Sequence, residues 1–92
     1  MQSLTHVAPA VLASILKAAP LSPGKVECAW RASVGVALRR ATDVRLVDGV
    51  LLVDASSAQW AREVRRSSWI ILKRLRSLLG DDTVRSLTVR AR

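Results

Sequence analysis

The sequence predicts an α+β fold, with a three-stranded sheet carrying helices on one face in the order α-α-β-β-α-β. Three observations predict it. Apolar residues recur at helical spacing through the first forty residues and again from about Ser57 to Leu79. Between these stretches, and after the second, the period shortens to two. Asp48-Gly49 sits between two alternating runs, the strongest short signal for a hairpin. Ninety-two residues make one small domain, read here as an N-terminal helix and turn (1–21) followed by the main motif-bearing region (22–92).

The first helix is expected from Thr5 or Ala8 to Ala19, because Val7, Ala8, Val11, Leu12, Ile15 and Leu16 share a helical face. Pro9 fits only in its first turn. After a Pro-Leu-Ser-Pro-Gly turn, Ser22 is placed to cap a second helix and Pro23 to open it. That helix is expected to run to about Arg40, burying Val26, Ala29, Trp30, Ser33, Val34, Ala37 and Leu38. Lys25, Glu27, Arg31 and Arg39 point elsewhere. Gly35 falls within it, at a cost of about 1 kcal/mol relative to Ala, which a close backbone approach would justify.

A two-residue loop fixes the hairpin register: Val47 faces Val50, Leu46 faces Leu51, Arg45 faces Leu52, Val44 faces Val53 and Asp43 faces Asp54. Val44, Leu46, Leu51, Val53 and Ala55 then share the core face. The opposed aspartates are expected to fray, a cation between them being the other outcome. Ser56 with Gln59 reads as a capping box opening the next helix, and Gly80 as its left-handed end. Ser67-Ser68 is its weak point, where it could divide in two. Thr83 to Arg92 resumes alternation, with Leu87, Val89 and Ala91 inward and Thr88, Arg90 and Arg92 outward.

At 100° per residue, Trp60, Val64, Ser68, Ile71, Leu75 and Leu78 share one helix face. Arg62, Arg65, Arg66, Lys73 and Arg76 centre with Trp69 on the reverse. The chain holds 15 basic and 7 acidic residues, a formal net charge of +8, and 9 of those cations lie from Arg62 onward. Such an excess favours polyanionic partners. Arginine and lysine around an aromatic ring is the chemistry of single-strand binding, phosphates being neutralised and a base stacked. Trp69 at the middle of that face either stacks on a base, meets a partner, or tucks inward at Ser67-Ser68. A solvated basic face is the bland reading of the same residues. Trp30 and Trp60 lie on apolar faces and read as core.

Catalytic chemistry finds little support. His6 and Cys28 have no partners at metal-ligand spacing, and no metal or cofactor is expected. Asp81-Asp82 reads as a helix-ending loop rather than an acid pair. No phosphate-binding glycine loop or nucleophile beside a base is present, so neither an enzyme nor a small-molecule substrate is expected. One cysteine cannot form an internal disulfide, and no apolar run approaches the roughly 18 residues of a membrane span. A cytoplasmic protein without membrane contact is expected. Arg90 and Arg92 read as a strand end rather than a tail.

Several segments together resemble a known family. Trp30-Arg31-Ala32-Ser33-Val34-Gly35 is similar to its W-x-x-x-V-G motif, and Leu46 to Val53 to its L-x-x-G-x-L-x-V hairpin. Ser57-Ala58-Gln59-Trp60-Ala61-Arg62-Glu63-Val64 resembles its S-x-x-W-A-x-E-L signature, with Val64 in place of leucine. Leu72, Leu75, Leu79 and Gly80 match its L-x-x-L-x-x-x-L-G, and a last strand ends Thr88-Val89-Arg90. The family is DciA, bacterial replicative-helicase loaders, and the resemblance covers about Val26 to Arg92.

The resemblance implies a domain similar to a type II KH fold, without ATPase motifs. It also implies a non-enzymatic, nucleoid-associated adaptor that assists loading of the hexameric DnaB-type helicase onto single-stranded DNA. KH modules usually clamp a nucleic-acid backbone with a GxxG loop between two helices. This chain has Arg65-Arg66-Ser67-Ser68 in the corresponding region and no GxxG. Many members also carry a basic flexible extension, so DNA contact here is expected from the folded domain, through Arg62, Arg65, Arg66, Trp69, Lys73 and Arg76. A KH-like module for single-stranded RNA is the alternative.

Overall fold

A computed structural model describes Val11, Ser14, Ile15 and residues 18–92. Val11, Ser14, Ile15 and Ala18 are helical, in agreement with the expected first helix. Its remaining positions, with Pro9 and His6, lie outside the described residues. Seven elements follow: α1 (Pro23–Ser33), α2 (Val36–Arg40), β1 (Thr42–Val47), β2 (Val50–Ala55), α3 (Ala58–Arg66), α4 (Ser68–Leu79) and β3 (Ser86–Ala91). The architecture is α+β, with a three-stranded mixed sheet compatible with a KH-like fold.

Capping explains where α1 starts. The Ser22 side chain accepts from the Lys25 N–H at 3.1 Å, with Pro23 in the first turn, where its missing N–H is no loss. Val26, Ala29, Trp30 and Ser33 are buried along its inner face. The helix does not continue to Arg40: Val34 turns extended at φ −124°, ψ 161°, and α2 starts after Gly35. The expected close approach at Gly35 is absent, since a Cβ there would meet nothing within 4 Å. A long-range partner stabilises the break. The Arg74 guanidinium donates to the Ser33 carbonyl at 3.1 Å, serving an oxygen at the end of α1 and adding positive charge to the negative end of its dipole. The redirected α2 buries no residue, so Ala37 is exposed where a continuous helix would have covered it.

The hairpin register is the expected one at every pair from Val47↔Val50 to Asp43↔Asp54, and it extends to Thr42↔Ala55. Asp48 and Gly49 both have positive φ, 50° and 81°, as a tight turn matching strand twist requires. Fraying at the aspartates does not occur. β3 runs parallel to β2 and places Arg90 beside Asp54, while Arg92 pairs with Asp43. Two cations therefore offset the repulsion that one hairpin alone would suffer.

Ser57, not Ser56, caps the following helix, its hydroxyl accepting from the Trp60 N–H at 3.2 Å. That places Gln59 one position too early for a capping box. The helical stretch divides at Ser67, as Ser67-Ser68 suggested, into α3 and α4. Gly80 ends α4 at φ 102°, ψ 148°, positive but beyond the left-handed helical well. β3 starts at Ser86 rather than Thr83, because residues 81–83 form a turn and Val84 after it is completely buried. Ala91, expected inward, is exposed at the strand end.

α1 packs on β1 and α4, and α3 lies over β3 and β2. Between helices and sheet sit Trp30, Leu51, Val53, Val64, Ile71, Leu75 and Val84, all buried, with Val44, Leu46 and Trp60 partly covered beside them. Trp30 donates from Nε1 to the Thr42 hydroxyl at 3.0 Å, and that hydroxyl donates to the Leu38 carbonyl at 2.7 Å. This short relay ties α1, α2 and β1 together.

Candidate nucleic-acid interface

The Ser67 joint determines how the basic face is built. Because α3 and α4 are separate helices, their cations no longer share one continuous stripe. Arg62, Arg65 and Arg66 project from α3, and Trp69, Lys73 and Arg76 from α4. Arg65-Arg66-Ser67-Ser68 thus occupies the helix–helix joint itself.

Trp69 is 70% exposed, which decides the question left open by the sequence: the ring stands in solvent instead of tucking inward at the joint. Trp60 is half-buried against the core and Trp30 is 2% exposed, as their apolar faces implied. Lys73, one turn beyond Trp69 on α4, is exposed. Arg62 is exposed on α3. Neither cation has a carboxylate partner among the described residues. Arg66 pairs with Glu63 at 3.2 Å, a solvent-facing contact of the kind that holds a side chain only loosely.

Arg65 and Arg76 have tasks in the fold. Arg65 donates to the Val89 carbonyl at 3.2 Å. Arg76 donates from Nε to the Val84 carbonyl at 3.0 Å and from its terminal nitrogen to the Arg85 carbonyl at 2.7 Å. Together they fasten both helices to β3 and the segment before it. A guanidinium carries five donors, so each retains some for a further acceptor.

Sequence reasoning missed Arg74, which lies off the predicted basic face and whose carbonyl partner is 41 residues away. It also missed Arg85, which clamps the hairpin: its N–H donates to the Gly49 carbonyl at 2.7 Å and its guanidinium reaches the Asp48 carbonyl. Local patterns carry no signal for either.

Electrostatic coupling at the far end of the sheet is structural. The hydrogen bond from Arg90 holds the Asp54 carboxyl below its ordinary value, desolvation opposes the shift, and the charges of Arg90 and Arg45 add to it. Arg90 is raised in turn by the same hydrogen bond. Among the described residues no group of three histidine, cysteine or acidic side chains is placed to hold a metal ion. Nor, among those residues, is any helix long and apolar enough to cross a membrane.

A small α+β domain with a three-stranded mixed sheet and an exposed tryptophan is compatible in architecture with a KH-like module, and its sequence gives the family. Residues 3–89 match the family described as Dna[CI] antecedent, DciA, and the chain belongs to it. It is 35% identical over 72 residues to a UPF0232 protein of Mycolicibacterium smegmatis (strain ATCC 700084 / mc(2)155), a match that covers 77% of this chain. The aligned segment spans 37% of that relative's length.

Proposed function

We propose that this chain is a non-enzymatic adaptor that assists loading of a DnaB-type replicative helicase onto single-stranded DNA. Family membership supports the helicase half. The observation carrying the DNA half is Trp69, a large ring 70% exposed on α4 one turn from the exposed, unpaired Lys73, with Arg62 exposed on α3. Burying such a ring against a base removes apolar surface from water, while Arg62, Arg66 and Lys73 neutralise flanking phosphates. Arg65 and Arg76 add positive potential and their remaining donors. No glycine loop is needed for this mode, because cations and stacking replace backbone contacts.

A salt titration with a labelled oligothymidylate tests the DNA half. Three phosphate contacts give a slope of log affinity against log salt of about −2, at roughly −0.7 per contact. Trp69→Ala weakens binding by about 1–3 kcal/mol, the usual worth of one stacked base. A flat salt response refutes the phosphate contacts. Competition with an oligoribonucleotide of the same sequence distinguishes DNA from the RNA alternative. Capture of the cognate helicase hexamer at low salt tests the adaptor half, and failure to capture it sinks that half whatever the DNA result.

A further inference from the structure

A second basic feature lies away from Trp69, beside the β1 edge. A groove of about 490 Å³ is walled by Glu27 and Arg31 of α1, by Arg39 and Arg40 at the end of α2, and by Thr42 and Asp43 at the start of β1. Its two carboxylates are already matched: Glu27 accepts from Arg31 at 2.7 Å, and Asp43 pairs with Arg92. Arg39 and Arg40 have no carboxylate partner among the described residues. Arg39 is half-buried, so part of its stem is fixed while the helix end places the guanidinium at the groove, and Arg40 is exposed beside it.

The floor has little to offer other ligands. Trp30 is covered, and the Thr42 hydroxyl already accepts from Trp30 and donates to Leu38. Unclaimed hydrogen-bonding capacity is thus concentrated in guanidinium donors, which match phosphate oxygens. The helix that carries Trp69 touches the segment leading into the groove. Arg74, next to Lys73 on α4, donates to the Ser33 carbonyl at the end of α1. α2 begins three residues later and rises only about 1.5 Å per residue to Arg40.

We propose that this groove is a second phosphate-backbone site for single-stranded nucleic acid, with Arg39 and Arg40 as its ligands. It rests on the nucleic-acid reading above and extends it from one surface to two. A strand stacked on Trp69 continues past Arg74 and is held again at the end of α2. The break at Val34-Gly35 then has a functional consequence, since it sets the direction of α2 and places the two arginines at the groove.

Fluorescence anisotropy with an oligothymidylate of about 16 nucleotides, the upper end of common site sizes, tests the proposal. Arg39→Gln/Arg40→Gln makes the slope of log affinity against log salt shallower by about 1.4, two contacts at about 0.7 each. Arg39→Lys/Arg40→Lys retains the slope, and Arg45→Gln, which removes one cation from the open sheet face, leaves it unchanged. An unaltered slope in the double glutamine variant overturns the second site. So does an equal loss per charge in Arg45→Gln, which would reduce the effect to net charge. If the double glutamine variant is unaltered while Trp69→Ala still weakens binding, only the second site falls. If the unsubstituted protein shows no salt-dependent binding, both readings fall.

Discussion

Two tryptophans on this chain meet opposite environments, and the buried one requires a partner for its indole N–H. Trp30 is 2% exposed and can be buried only because Thr42 accepts its Nε1–H at 3.0 Å. A buried donor without a partner costs about 1–3 kcal/mol. Thr42→Val keeps the side-chain volume and removes the acceptor, so it is expected to destabilise the protein by about that amount. The midpoint of urea unfolding measures it, and an unchanged midpoint would show that the indole finds another partner. Trp69 has no such tie to the core, and Trp69→Ala should change the stability read from the same midpoint by no more than about 0.5 kcal/mol. Binding without folding is then the signature of Trp69, and folding without binding that of Thr42.

Elements end where local chemistry stops them, and the sequence revealed those endings unevenly. The hairpin was legible to the residue because a two-residue turn and a period of two leave one register that keeps Leu51, Val53 and Ala55 inward. The joint at Ser67 was legible as a pair of weak helix formers. The joint at Val34-Gly35 was not, because its stabilising partner is Arg74 in a different helix. The aspartate pair was misjudged for the same reason, its cations coming from a strand more than thirty residues away. Of the candidate site, the residue set was legible but not its division: carbonyls before and along β3 engage Arg65 and Arg76, and no helical wheel shows β3. Gly80 was legible as a helix end, and its conformation makes it testable. At φ 102°, ψ 148° a side chain is strained whatever space surrounds it, so Gly80→Ala is expected to destabilise by about 1–3 kcal/mol. Thermal or chemical denaturation reads this directly, and a neutral substitution would mean that the backbone relaxes without loss.

Across the whole molecule, charge acts on folding and binding in opposite directions. A net charge of +8 draws polyanions and also repels itself. Carboxylates moderate that repulsion, and those on the outer sheet face are paired across strands, Asp54 with Arg90 and Asp43 with Arg92. Asp54 shows the consequence for pH. Its carboxyl is held below the ordinary value of 3.8 in the folded chain, chiefly by the Arg90 hydrogen bond. A group with a lowered folded value contributes stability that is present above its unfolded value and is lost as pH falls through the folded one. Acidification therefore acts twice below about pH 3.9: the pairing is lost, and the net charge climbs as the seven acidic residues neutralise while 15 Lys and Arg remain charged. Melting temperature is expected to fall steadily from pH 5 to pH 2.5, and added salt at the acid end to recover part of the loss by screening. Asp54→Asn removes this carboxylate's titration and should flatten the decline without abolishing it. A melting temperature that stays level on acidification would mean that the cross-strand pairs contribute nothing and that the cations are already far enough apart to ignore one another.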